Sequence, residues 1–273
     1  MRAIYNIICI LAIALFSSTR VVDADAKVVA EACWSDAIAA YEAKDYALAV
    51  EKFEQIVELG YISSDLYYNL ANSYFKLGEQ AVEDGLHKFS KGELGRAVLN
   101  YHRALRLDPT MEDARYNLEL AVDNTNDTEA LPESFIATIW RGIGNLAHTN
   151  SWALGSLVML GLMLAFAIFY LLSNSLTLRM VSFFSAIVLF VGAIFAVAFA
   201  LYGKHQVESD SRAVVICNDT TPVHASPESG SKVIRQPSQG VTVRVSRNYG
   251  EWSEIIFADG EKGWIRSAKI EQI

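Results

Sequence analysis

Two long apolar blocks constrain this chain more than any other feature of its sequence. They cover 152–172 and 181–202, and neither contains Asp, Glu, Lys, Arg or His. Because a helix of about 20 apolar residues crosses the roughly 30 Å core of a bilayer, both blocks are predicted as transmembrane helices. A buried helical hairpin in a soluble protein is the alternative. The short segment 173–180 predicts a tight turn, which leaves both flanking regions on one side of the membrane.

The first 26 residues have the pattern of an export signal. Arg2 precedes an apolar run over 4–16, and small residues follow as far as Ala26. This pattern predicts a secretory signal peptide over 1–26, and an uncleaved anchor is the alternative. Both alternatives carry the next region out of the cytoplasm. We therefore expect both flanking domains on the outer side of the membrane.

An internal repeat follows the signal. Ala37 aligns with Ala71 at an offset of 34 residues, whereas Ala49 aligns with Ala97 at an offset of 48. The difference between the two offsets indicates an insertion of 14 residues at about 79–91. The repeated positions recur at helical spacing, so the pattern predicts pairs of helices that meet where the small side chains lie.

The 34-residue unit, which ends at Leu107-Asp108-Pro109, resembles the tetratricopeptide repeat. The resemblance implies an all-α repeat solenoid over 27–125, closed by a capping helix from Glu112 to about Val122. Domains of this kind bind extended peptides on their concave face. Carried over to this sequence, the resemblance gives six groove candidates, for whose aromatic members core packing is the alternative: Trp34, Tyr41, Tyr68, Asn72, Lys76 and Tyr116.

Charge excludes one class of partner and disfavours another. The chain has a formal net charge of −8 and no basic stripe that would neutralise phosphates, so nucleic acid is not expected as a ligand. The region 27–125 has a net charge of −7. An acidic peptide is therefore a poor candidate ligand for the repeat groove.

An amphipathic helix is predicted over 131–148, just before the first apolar block. Its apolar residues recur at spacings of three and four: Phe135, Ile136, Ile139, Trp140, Ile143 and Leu146. A helix that ends so close to a membrane span can bury this stripe in the headgroup boundary. Packing against the repeat domain is the alternative.

The region 212–273 changes to short β-prone runs broken by turn residues. Five strands are predicted, and Asp259-Gly260 predicts a tight hairpin. The order Gly-Val-x-Val-x-Val, Trp-x-x-Ile and Asp-Gly-x-x-Gly-Trp-Ile resembles the bacterial SH3-like domain, which implies a small all-β barrel. Tyr249, Trp252 and Trp264 are candidates for its binding surface, although core positions are the alternative for both tryptophans.

No catalytic or metal constellation is predicted. Bacterial SH3-like domains often accompany cysteine peptidases, so Cys217 with His205 or His224 was weighed as a nucleophile and base. Every segment is already assigned to repeats, membrane or barrel, which leaves no fold to hold such a dyad. No phosphate loop, His-Glu-x-x-His helix or metal-ligand spacing occurs. The chain is predicted to be non-enzymatic, without cofactor or metal, and Cys33 and Cys217 to be buried thiols.

The full order of segments resembles the Bacteroides aerotolerance BatE family. The motifs that carry the resemblance are Tyr68-Asn69-Leu70-Ala71-Asn72, Asp108-Pro109 and Tyr116-Asn117-Leu118. It implies a bacterial inner-membrane scaffold whose two domains are periplasmic. Its implied partners are von Willebrand A-domain membrane proteins and, indirectly, a MoxR-type ATPase in the cytoplasm. The alternative function is an envelope-anchored protein that binds peptidoglycan and recruits a wall enzyme.

Overall fold

The computed structural model describes residues 24–81, 89, 91–125, 135–208, 211–218 and 220–273. Most of the predicted signal peptide and most of the 79–91 insertion lie outside the described residues. The chain divides into two compact units, one up to Tyr61 and one from Ile62 onward. Each unit is described by itself.

The first unit contains one helical hairpin. Helix α1 (Ala24–Glu42) packs on helix α2 (Tyr46–Glu58). Asp45 caps α2, because its carboxylate accepts a hydrogen bond from Leu48 N at 3.1 Å. Ala37 and Ala49 are fully buried, as is Phe53, so small side chains lie where the two helices approach.

The second unit begins with three helices: α3 (Ser64–Gln80), α4 (Glu93–Leu107) and α5 (Glu112–Asp123). Ala71 and Ala97 are fully buried, and Tyr101 is almost completely buried. The turn at Pro109 ends α4, and the helix predicted after that proline is present as α5. Helix α4 packs on both α3 and α5.

Three further helices complete the helical part: α6 (Phe135–Gly144), α7 (Thr149–Leu172) and α8 (Leu176–Glu208). Helices α7 and α8 are each long and apolar enough to cross a membrane. Only 6% of the apolar window of α7 and 17% of that of α8 is buried. A core helix of a soluble protein would be mostly buried, so the exposure favours membrane anchoring over a buried hairpin.

The β domain (211–273) is an antiparallel sheet of seven strands in the described residues, in the order β3-β2-β6-β5-β4-β1-β7. Five strands were predicted, so the predicted number was wrong. The two short strands β3 and β7 were missed because three residues are too few to display an alternating pattern. The strands are β1 (Arg212–Val215), β2 (Val223–His224), β3 (Val233–Arg235), β4 (Thr242–Tyr249), β5 (Trp252–Ile256), β6 (Lys262–Arg266) and β7 (Ile270–Gln272).

The core of the β domain consists of aliphatic side chains together with one aromatic ring and one thiol. The members of this core are Ala213, Val215, Cys217, Val223, Val241, Val243, Ile255, Phe257 and Ile265. Val241, just before β4, and Val243 within it are buried, whereas Thr242 is half-buried and Arg244 is exposed, which places one side of this segment in the core. The predicted hairpin at Asp259-Gly260 joins β5 to β6, where Phe257 N donates to Glu261 O at 2.9 Å.

Candidate interaction surfaces

The two groove candidates in the first unit contact their own hairpin. Trp34 is half-buried and meets Phe53 edge-on, with ring centroids 5.5 Å apart. Tyr41 is half-buried and meets Tyr46 in the same manner at 5.3 Å. Part of each ring therefore stabilises the packing of α1 on α2.

In the second unit, Asn72 is the centre of a hydrogen-bonded cluster. Its side-chain oxygen accepts from Tyr101 OH at 2.6 Å and from Asn117 Nδ2 at 3.0 Å. The same Nδ2 lies 3.3 Å from the hydroxyl of Tyr68. The cluster joins α3, α4 and α5, so the oxygen of Asn72 is already occupied by donors from the protein.

Tyr116 and Lys76 lie on the outside of the second unit. Tyr116 is 69% exposed, and Leu120, one turn further along α5, is also exposed. Lys76 forms an exposed ion pair with Glu79 at 2.9 Å. Exposed acidic residues lie beside the apolar pair of α5: Glu112, Asp113, Glu119 and Asp123.

In the β domain, arginine side chains cover the two candidate tryptophans. Trp252 is 8% exposed and Trp264 is 9% exposed. The guanidinium of Arg266 lies 4.9 Å from the ring centre of Trp252, and that of Arg247 lies 5.3 Å from the ring centre of Trp264. Tyr249 is 67% exposed. Of the three candidates, therefore, only Tyr249 presents most of its side chain to the surroundings.

The arginine over Trp264 is fixed by an ion pair. Arg247 contacts the Glu254 carboxylate at 3.0 Å. This hydrogen bond is the main reason that the pKa of Glu254 is lowered, and burial opposes it. The carboxylate therefore stays charged at neutral pH, which holds Arg247 in place over the ring.

The contact between helix α4 and the β domain was not predicted from the sequence. Three glycines allow the backbone of α4 and the backbone of the β domain to approach closely. A side-chain carbon at Gly95 would lie 2.8 Å from Val215 O, and one at Gly92 would lie 2.9 Å from Cys217 O. Gly240, with φ +86°, turns its backbone against Val98 of α4. The helix and the β domain can approach this closely only because glycine has no side chain.

Gln239 completes the N-terminus of α4 from the β domain. The helix begins after Gly92, which has no side chain to cap it. Gln239 is buried, and its Oε1 accepts from Gly95 N at 3.3 Å. Its Nε2 donates to Phe89 O. A residue 144 positions away thus satisfies one of the main-chain donors that every helix start leaves open.

The contact continues to the other end of α4. Arg103 donates to Glu271 Oε1 at 2.7 Å and to Gln272 O at 2.8 Å. Arg106 donates to Ile273 O. His102 Nε2 lies 3.4 Å from Thr242 Oγ1. At about 3.6 residues per turn, Gly95, His102, Arg103 and Arg106 lie within roughly 100° around the helix axis, so they share one face of the helix. That face is occupied by the β domain along the whole helix.

Asp108 links the end of α4 to the start of the two long apolar helices. Its Oδ1 accepts from Thr110 N at 2.9 Å and from Thr110 Oγ1 at 2.6 Å, which fixes the turn into α5. His148 Nε2 lies 3.1 Å from the same oxygen. Burial acts to raise the pKa of Asp108, but the hydrogen bonds from Thr110 and the charge of His148 outweigh it and lower the pKa.

Replacing Asp108 with alanine is expected to destabilise the turn by about 1–2 kcal/mol at neutral pH, because the main-chain N–H of Thr110 loses its partner. The folded pKa lies below the ordinary value of 3.8, so this stabilisation is present above pH 3.8 and is lost as pH falls through the folded pKa. Thermal unfolding in detergent between pH 7 and pH 2 measures the difference. Asp123→Ala, at an exposed position, is the control, and a constant gap between D108A and wild type at all pH values would contradict the assignment.

The structure places Cys217 just after strand β1 and His224 in strand β2. Cys217 is buried and follows β1, and both Cys33 and Cys217 are buried thiols. His224 Nδ1 lies 3.0 Å from Ser231 O, and its ring meets Trp252 edge-on. Among the described residues, no group of three His, Cys, Asp or Glu is placed to hold a metal ion.

Comparison with known families identifies the β domain. Residues 218–272 match the model of the bacterial SH3 domain. The β domain is a bacterial SH3 domain. Strand β1, which pairs with β4 and β7 and contacts α4, lies just before the matched residues. The comparison of the chain with curated proteins gives no match.

Proposed function

We propose that this chain is a non-enzymatic, membrane-anchored scaffold of the Bat aerotolerance type. The observation that carries the proposal is the contact of the SH3 domain with α4 along the whole helix. A scaffold needs binding surfaces held at a fixed separation. The contact through Gly95, Gln239 and Arg103 supplies such a fixed connection.

The helical part is proposed to consist of tetratricopeptide pairs. The fully buried Ala37 and Ala49 in one unit, and Ala71 and Ala97 in the other, support this assignment. In the pair α3 and α4, the second helix packs on the SH3 domain. The face of α5 that includes Tyr116 therefore stays accessible to a partner. We place this face in the periplasm, on the basis of the predicted export signal.

The surface of α5 specifies the chemistry of its proposed partner. Tyr116 and Leu120 offer an apolar contact, and the neighbouring carboxylates favour a positively charged segment. Following the family resemblance, we propose von Willebrand A-domain membrane proteins as partners. The connection 173–175 between α7 and α8 is too short to form a binding surface for a cytoplasmic MoxR-type ATPase, so that link is proposed to be indirect.

The SH3 domain supports a second candidate function, peptidoglycan binding with recruitment of a wall enzyme. Bacterial SH3 domains are consistent with binding either a protein or peptidoglycan. Tyr249 is exposed in the turn region between β4 and β5, whereas the contact with α4 uses β1, β7 and the loop before β4. The exposed tyrosine is therefore available to a ligand while the domain is docked.

A photo-crosslinking amino acid placed at Tyr116 or at Tyr249 in the full chain separates the two functions. The scaffold function predicts adducts with membrane proteins at Tyr116. The peptidoglycan function predicts wall fragments or wall enzymes at Tyr249. Val233, an exposed residue of the SH3 domain on β3, is the control for non-specific crosslinking.

Membrane-protein adducts at Tyr116 that exceed those at Val233 would support the scaffold. Adducts with wall material at Tyr249, without membrane proteins at Tyr116, would replace it with the second function. Equal labelling at all three positions would contradict both.

A further inference from the structure

Helix α6 is fixed against the two long helices by a cluster of aromatic rings. The ring centroid of Trp140 lies 4.6 Å from that of Phe199 and 6.4 Å from that of Tyr202, both on α8. Trp152 of α7 also packs on Phe199, at 5.0 Å, and its Nε1 donates to Gly144 O at 2.9 Å. The orientation of α6 is thus determined by direct contacts with α7 and α8.

The side of α6 next to Trp140 and the segment after the helix expose large apolar side chains. Ile139 and Ile143 are exposed one turn apart, and Leu146, just after the helix, is 75% exposed. Contact of these side chains with water would be unfavourable, because their exposed apolar area then contributes no free energy of burial. An apolar surface of this kind therefore indicates a partner.

The position of the aromatic cluster indicates which partner covers this surface. Tyr202 is the last residue of the apolar part of α8, before Gly203 and Lys204. Trp152 lies in the first turn of α7. Tryptophan and tyrosine favour the headgroup layer, so the cluster marks the level at which both long helices leave the hydrocarbon core.

The exposed residues of α6 continue the apolar surface of the long helices. Leu154 and Leu157 of α7 and Leu201 of α8 are all more than half exposed, as expected of side chains that face lipid. We infer that α6 lies in the boundary between headgroups and acyl chains, with Trp140 toward α8 and Ile139 and Ile143 toward lipid. The partner of this face is the bilayer itself, and the inference rests on the membrane anchoring of the proposed scaffold.

This placement fixes the scaffold at the membrane surface. His148, between α6 and α7, lies at the same level and contacts Asp108 at the end of α4. The turn from α4 to α5 therefore lies against the headgroup layer. A partner of α5 is thus most accessible when it is itself held in the same membrane.

A diazirine amino acid at single positions of the full chain tests this inference. The protein is reconstituted in vesicles of phosphatidylethanolamine and phosphatidylglycerol, irradiated, and analysed by mass spectrometry for phospholipid adducts. Ile143 and Leu146 are the test positions. Leu162, exposed in the middle of α7, is the lipid control, and Leu120 on α5 is the aqueous control.

We expect phospholipid adducts at Ile143 and Leu146 at least tenfold above those at Leu120 and comparable to those at Leu162. Background labelling at both test positions, with strong labelling at Leu162, would overturn the inference and leave membrane anchoring intact. Adducts only with protein at the test positions would also overturn it. Background labelling at Leu162 would instead contradict membrane anchoring, and with it the proposed scaffold.

Discussion

Replacing Gln239 with alanine is expected to release the SH3 domain from the start of helix α4. The substitution leaves Gly95 N and Phe89 O without their side-chain partner at a buried position. Each buried main-chain group that loses its hydrogen bond costs about 1–3 kcal/mol, so we expect a loss of about 2–4 kcal/mol in the contact. Because about 1.4 kcal/mol corresponds to a factor of ten, local hydrogen exchange should rise by about 30- to 900-fold in the first turns of α4.

Hydrogen exchange of the full chain in detergent, resolved over 93–98 and 213–217, measures this loss. Gln236→Ala is the matched control, because Gln236 is exposed in the same connection between β3 and β4. Protection of β5 and β6 should stay unchanged, which separates release of the domain from its unfolding. If Q239A and Q236A show the same protection in α4, the capping role of Gln239 is wrong.

Replacing Gly95 with alanine is expected to separate helix α4 from the SH3 domain through a steric clash. The new carbon would lie 2.8 Å from Val215 O and 3.3 Å from Gly240 N, and both are main-chain atoms that cannot rotate away. Overpacking of this kind costs about 1–3 kcal/mol, partly offset by roughly 1 kcal/mol of improved helix propensity. Exchange protection in the first turns of α4 and in β1 should therefore fall.

The control for this substitution is Gly142→Ala in α6, where an added carbon would meet nothing within 4 Å. That variant gains helix propensity without a clash, so protection of its own helix should hold or rise. The two substitutions are chemically the same and have opposite expected signs. A gain of protection in α4 on Gly95→Ala would contradict the close contact with the SH3 domain.

Local patterns were sufficient to predict several elements. The apolar blocks at 152–172 and 181–202 predicted α7 and α8 because hydropathy over one segment is a property of that segment alone. Helix α7 begins three residues before its block and ends with it, whereas α8 extends beyond both ends of its block. The alternation around Val241 and the turn at Gly260 predicted the β4 strand and the β5–β6 hairpin for the same reason.

Other features depended on residues far apart in the chain. Trp252 and Trp264 were compatible with a core or a surface role, and the arginines at 266 and 247 that cover them are supplied by the fold of the sheet. Asn72 looked like a ligand-binding residue, but Tyr101 and Asn117 reach its oxygen only when three helices have packed together. A glycine inside a helix, such as Gly95, was the one local signal that the backbone of another element approaches that helix closely.

The sequence by itself determined the order of modules: helical pairs, two apolar helices, and an alternating β region that folds as an SH3 domain. Tertiary structure decided how the modules of the second unit combine. Gln239 caps a helix that begins 146 residues earlier at Glu93, and Arg103 reaches Gln272 in the last strand. Hydropathy and turn preference act over a few residues, whereas these contacts depend on shape and hydrogen bonding that exist only after both surfaces have formed.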